Sequence, residues 1–157
     1  VKTGVKKQNL FVAVILLLSL VVTGCGKPTR ELGSFDAYVT KFEEYSKEHN
    51  HPVYFDDLIV KFGSLDDSQL GVCTVGQGTP TITISETQWK ALTEDQKEIL
   101  MLHELGHCSG DLKRQHNNSK GENRQWASVM LQWPQKITDY KKNKDQYLAE
   151  LFHSDSN

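Results

Sequence analysis

Positive charge is not in excess in this sequence. Its 18 Lys and Arg are outnumbered by 20 Asp and Glu, for a formal charge of −2, and the balance turns more acidic once Lys2, Lys6 and Lys7 are set aside with the leader described below. A mildly acidic domain is a poor nucleic-acid binder, because a polyanion repels it. Runs of like charge are missing too: Lys141, Lys142 and Lys144 read as one solvated helix face. There is no internal repeat and no low-complexity tract, which excludes a solenoid or an array. A comfortable bilayer span is also lacking. The uncharged run Leu10–Val22 is too short for one and has the length of a signal-peptide core. Cysteine is scarce, at three residues, of which Cys25 stands directly after that run.

What is present begins with this leader. A basic head (Lys2, Lys6, Lys7) precedes the apolar run, and Val22-Thr23-Gly24-Cys25 ends it. That ending resembles the lipobox of bacterial lipoproteins, in which the Cys is lipid-modified and becomes the first mature residue. The resemblance implies a signal peptide over residues 1–24, lipidation at Cys25 and a membrane anchor in the cell envelope. Gly26 after the Cys implies the outer membrane, facing the periplasm, in a Gram-negative host. Residues 25–33, with Pro28 and two Gly, read as a tether. Residues 34–157 read as one domain, large enough for a real core. Export exposes the remaining Cys73 and Cys108 to an oxidising compartment, which fits a disulfide between them; two buried free thiols are the alternative.

Along the domain, Phe35, Tyr38, Val39, Phe42 and Tyr45 fall at helical spacing with Ser34 placed to cap them, which predicts a helix over about 35–48. Three strand-like runs follow: 57–62, 70–75 and 81–85 (TITIS), the last in strict alternation. Thr93-x-x-Gln96 resembles a capping box, and Glu94 and Asp95 suit a helix start. From Ile99 to Leu105 the apolar residues surround that helix, so it is expected to be central and buried, with Gly110 as its stop. A last helix is expected over about 138–152, burying Tyr140, the Lys144 stem, Tyr147, Leu148 and Leu151.

The chemistry sits on the central helix. Residues 103–107 read His-Glu-Leu-Gly-His. Residues four apart share a helix face, so His103 and His107 can reach one zinc ion at about 2.0–2.1 Å. Glu104 points to the side of that face. There its carboxylate can take a proton from the water that attacks a carbonyl and pass it to the leaving amine. Hydrogen-bonded core histidines are the plainer alternative, but two His and a Glu on an apolar helix are costly unless something satisfies them.

HELGH plus Gly110 looks like the zincin metallopeptidases, especially the small metzincin-like ones. Their pattern HExxHxxGxxH departs here at Lys113, where the third His would fall. The chain resembles more closely a group of bacterial lipoprotein metallopeptidases with LSxxQKxILxxHELGHCxLxRxH, a Ser-Ile-Met segment and an ending like YYLxELF. The matching pieces are LTEDQKEILMLHELGHC (92–108), KRQH (113–116), SVM (128–130) and QYLAELF (146–152), over roughly the last 70 residues. This resemblance implies that His116, two places later than the usual spacing, is the third ligand, with a two-residue insertion around Ser109–Asp111. Asp111 is the runner-up, Glu122 is weaker, and a protonated Lys113 cannot serve. Met130 reads either as a Met-turn beneath the metal or as ordinary core. Tyr140 and Tyr147 can each offer a hydroxyl to an oxyanion, though core packing suits them better. His49, His51 and His153 read as surface residues, and Cys108 is placed poorly for a nucleophile.

These readings converge on an α+β, zincin-like fold: a small, twisted, mostly antiparallel sheet packed with an active-site helix and flanking N- and C-terminal helices. The TITIS strand is expected beside the cleft, where strand addition would bind an extended peptide. The expected activity is zinc-dependent hydrolysis of peptide bonds, with Zn2+ on His103, His107 and His116, Glu104 as base and then acid, and a peptide or protein substrate. The alternative is a non-catalytic zinc-binding or partner-binding envelope lipoprotein. A structural site prefers four protein ligands and has no use for Glu104.

Overall fold

The structure is a computed structural model that describes residues 29–118, 120, 128–132 and 137–153. The expected signal peptide (1–24), Cys25, Glu122, Trp126 and Trp133 lie outside the described residues. The strands are β1 (Arg30–Glu31), β2 (Leu58–Gly63), β3 (Gly71–Thr74) and β4 (Thr81–Ser85). The helices are α1 (Asp36–Glu48), α2 (Glu86–Ala91), α3 (Glu94–Cys108) and α4 (Tyr140–His153), with a 3-10 turn at Gly33–Phe35 before α1. Among the described residues, no helix is long and apolar enough to cross a membrane.

The fold class is α+β around one sheet of order β1-β2-β4-β3. β1 and β4 both run parallel to β2, and β3 runs antiparallel to β4. The sheet is therefore mixed rather than mostly antiparallel. The reason lies in the connections. The β3–β4 link, residues 75–80, is a hairpin loop, whereas β1 reaches β2 through α1, and a helical crossover returns the chain in parallel. β2 then passes over the position β4 will fill and reaches the edge as β3. TITIS is thus an interior strand, and β3, not TITIS, is the strand that borders the cleft.

Residues 29–33, expected within a tether, are built into the domain. Thr29 accepts a bond from the Leu58 N–H at 2.8 Å, Arg30 pairs with Glu43 at 2.7 Å, and Leu32 is buried. Domain structure therefore begins by Thr29. Helix α1 is entered through the 3-10 turn, without a side-chain cap from Ser34.

β4 has the alternation expected of it: Ile82 and Ile84 are fully buried, while Thr81, Thr83 and Ser85 are half-exposed. Leu58 and Val60 of β2 join them against α1 and α3. Phe42 of α1 and Phe152 of α4 meet edge to face at 5.2 Å, which carries this core through to the last helix. Helix α3 begins with the expected capping box, Thr93 and Gln96 bonding reciprocally, and runs buried from Ile99 to Gly106. It stops at Cys108, before Gly110, which adopts no left-handed conformation and whose Cβ position is open space.

Glu98 on α3 gathers the helices. Its Oε1 accepts from Tyr140 at 2.7 Å, Lys144 at 2.8 Å and Tyr45 at 3.2 Å, and its Oε2 from Lys41 at 2.9 Å. Tyr147 donates instead to Asp139 at 2.8 Å. Both tyrosine hydroxyls are therefore engaged in the core and are absent from the cleft lining. Cys73 of β3 and Cys108 at the end of α3 form a disulfide, Cα to Cα 5.6 Å, which ties the edge strand to the buried helix.

Candidate metal centre

His103 and His107 lie one turn apart on α3, their ring centroids 4.6 Å apart. Each has its Nδ1 on a backbone carbonyl: His103 donates to Val129 at 2.9 Å, and His107 to Arg114 at 2.7 Å. A neutral imidazole that donates through Nδ1 presents a bare lone pair at Nε2. The two Nε2 atoms are 3.1 Å apart, so no proton is left to join them. Two facing lone pairs at that distance call for a cation. Tetrahedral zinc sets its ligand nitrogens ~3.3 Å apart, which the helix pair already matches.

His116 comes to the same place. One ligand nitrogen from each of His103, His107 and His116 lies within 4.8 Å of the others. The His116 ring stacks on His103 at 5.2 Å and meets His107 edge-on at 4.9 Å. Its approach is built by residues 109–114. Lys113 N–H bonds the Ser109 carbonyl at 3.0 Å, Arg114 N–H bonds Gly106 at 3.2 Å, and Leu112 is buried. Lys113, where the metzincin pattern has its His, takes a left-handed turn with φ 45°. The chain thus folds back on the helix end and brings His116 to the cluster three residues later. Asp111 is exposed and outside the cluster.

Burial and chemistry agree on neutral rings. Burial holds the His103 imidazole down at about 3, opposed by the Val129 carbonyl and assisted by the two neighbouring histidines. His107 is lowered for the same reason, against the pull of the Arg114 carbonyl. Burial also pushes the Glu104 carboxyl up to about 7, while the Cys73 backbone N–H it accepts from pulls the other way. Glu104 therefore leans on β3, beside the histidines and not among them. Gly71 leaves room for it: a Cβ there would stand 2.8 Å from Glu104 Oε1 and 2.9 Å from its Cγ.

The cluster opens onto a cavity of about 560 Å³ between β3 and α3. Ser68 to Cys73 and Val75 form one wall, and Leu100, His103, Glu104 and His107 the other, with His116 and Gln132 completing the lining. Three candidate ligands beside a cavity, with no fourth in the cluster among the described residues, is the donor arrangement of a catalytic zinc site rather than a structural one. The residues present therefore fit such an ion.

Residues 67–132 match the model of a family described as "Putative phage metallopeptidase". That description is of metal-dependent peptidases, and the match covers less than half of the chain. The matched stretch runs from the start of the cleft wall through α3 and His116 to Gln132. No curated protein and no solved structure matched the chain.

Met130 is buried in the turn that supplies the Val129 carbonyl, with its sulfur 2.9 Å from where a Cβ on Gly106 would stand. It is packed in the core and lies directly behind the helix turn that carries both histidines. His49 and His51 are half-buried and His153 exposed; His49 stacks on Phe152 at 5.8 Å, and none of the three joins the cluster. The working parts that sequence reasoning missed are mostly backbone: the carbonyls of Arg114 and Val129 and the N–H of Cys73. Backbone groups leave no signature in residue identity. Gly71 is different, because a glycine opening a strand signals a close approach.

Proposed function

We propose that the protein is a zinc-dependent peptidase with the metal on His103, His107 and His116 and with Glu104 as its proton carrier. The observation that carries this is the gathering of three imidazoles, with one ligand nitrogen from each within 4.8 Å of the others, on the wall of a cleft that Glu104 also lines. Zinc bound there would supply Lewis acidity to a peptide carbonyl and acidify an attacking water. Glu104 takes the water's proton on its carboxylate and returns it to the leaving amine. The Cys73 N–H keeps that carboxylate turned toward the cleft. An extended substrate would lie along β3, whose outer edge is unpaired among the described residues, and place its scissile bond beside the histidines.

Metal content by mass spectrometry on the full-length chain tests the assignment. About one zinc per chain is expected, lost in His116→Ala and kept in Asp111→Ala. The reverse pattern would move the third ligand to Asp111. Cleavage of a substrate that survives Glu104→Ala undiminished would overturn the proton-transfer role.

We propose further that a lipid on Cys25 holds the enzyme at the bacterial envelope. The basic head, short apolar run and small residues before Cys25 support this reading. Incorporation of labelled fatty acid, abolished by Cys25→Ser, tests it.

A further inference from the structure

We propose that Glu150, far along α4 and outside the cleft, is a positioning residue for the metal centre. The inference rests on the zinc reading above. Each histidine is set by something outside α3: His103 by the Val129 carbonyl, His107 by the Arg114 carbonyl, and His116 by the loop that carries it. All three supports are tied at Glu150. Ser128, next to Val129, donates its hydroxyl to Glu150 Oε2 at 2.5 Å. Asn117, next to His116, donates its amide to Glu150 Oε1 at 3.0 Å. The Arg114 guanidinium donates to the Glu150 backbone carbonyl at 3.0 Å and to that of Leu151 at 2.8 and 2.5 Å.

The two loops are also joined to each other. Asn117 N–H bonds the Met130 carbonyl at 2.7 Å, and Met130 N–H bonds the Ser128 oxygen at 2.9 Å. One carboxylate therefore closes a ring of hydrogen bonds through the supports of His103 and His116, while Arg114, which supports His107, is held by backbone carbonyls of the same helix turn. A negative charge in the last turn of a helix opposes the helix dipole. Glu150 stands there nonetheless, with one carboxylate oxygen receiving a donor from the segment that carries His116 and the other from the segment that supports His103. Only a two-oxygen acceptor of this reach meets both donors at once, and charge strengthens both bonds. Partners that orient metal ligands in this way hold the imidazoles in the one tautomer and direction that suits the ion.

The test measures zinc affinity by chelator competition, and the visible spectrum after cobalt substitution, on the full-length chain. Glu150→Ala is expected to weaken zinc binding about 10–100-fold and to shift the cobalt bands. Glu150→Gln, which keeps one accepting oxygen, is expected to lose less. Tyr147→Phe, which removes the Asp139 bond on the same helix without touching the ring, is expected to bind as the parent does. A folded Glu150→Ala with parental affinity and spectrum overturns the proposal. If Glu150→Ala does not fold, the Gln variant decides: a changed spectrum and affinity support the proposal, and parental values overturn it. Equal weakening in Tyr147→Phe also overturns it, because the effect would then be a general loosening of α4. A parent chain that takes up no zinc would fail the zinc reading itself, and this inference with it.

Discussion

Glu98→Gln perturbs the polar knot between α1, α3 and α4 while keeping its shape. Burial alone would raise the Glu98 carboxyl, but hydrogen bonds from Lys144, Tyr140 and Lys41 outweigh that and bring it down to about 2. Against an ordinary value of 4.5 the difference is roughly 2.5 units, or ~3.4 kcal/mol at 1.36 kcal/mol per unit. Lys41 is about half exposed, so solvent screens part of this, and ~1.5–2 kcal/mol is the realistic share. The sign follows from proton counting. Between pH 2 and 4.5 the unfolded chain binds the proton that the folded chain refuses, so stability rises with pH across that window. The contribution is complete above about pH 5 and is lost as pH falls toward 2. Urea unfolding of parent and variant from pH 2.5 to 7 is the assay. The variant should be less stable by ~1.5–2 kcal/mol at neutral pH, with the gap closing in acid. Parallel profiles, with a gap that does not change with pH, would refute the claim that the Glu98 charge is what the knot satisfies.

Gly71→Ala should place a methyl group 2.8 Å from Glu104 Oε1, pushing the carboxylate aside by about 0.5 Å. Peptidase activity is expected to fall about tenfold while zinc content, read by mass spectrometry, is unchanged. Cys73→Ser/Cys108→Ser opens a disulfide across 35 residues of sequence, for a loss of ~4 kcal/mol by loop entropy, read as a lower urea midpoint. Zinc removal with a chelator should lower the thermal midpoint, and zinc in 100-fold excess over its Kd should restore ~2.7 kcal/mol. A midpoint indifferent to the chelator would show that the folded chain holds no such ion.

Legibility followed what each feature depends on. The capping box at Thr93, the burial of Ile99–Leu105 and the one-sided TITIS strand are local patterns, and they stand in the structure at the expected residues. Strand order is set by connections that periodicity does not record, so the parallel pairings and the two-residue β1 were not readable. The third histidine was reachable only through resemblance. Spacing pointed at Lys113, and nothing in residues 109–114 announces that the chain folds back on Gly106. Glu150 reads in sequence as an ordinary polar position on an amphipathic helix, because its partners are far away in the chain.

Met130 was left with two readings, and Gly106 separates them. An alanine in place of this helix-interior glycine should gain ~1 kcal/mol from backbone entropy. Its methyl, however, would stand 2.9 Å from the Met130 sulfur and 3.2 Å from a Leu151 methyl, and overpacking of that kind costs ~1–3 kcal/mol. Gly106→Ala alone should therefore lie between neutral and ~2 kcal/mol destabilised. In the double variant Gly106→Ala/Met130→Ala the clash disappears and the new methyl fills part of the space vacated, so the cycle should show a favourable coupling of ~1–2 kcal/mol. Zinc affinity across the same cycle distinguishes a floor from a filler. Met130 lies in the turn that offers Val129 to His103. If the turn is held in place by the methionine, Met130→Ala weakens zinc binding as well as stability, and restoring volume at position 106 recovers part of both. If Met130 only fills space, stability changes throughout the cycle and zinc affinity does not.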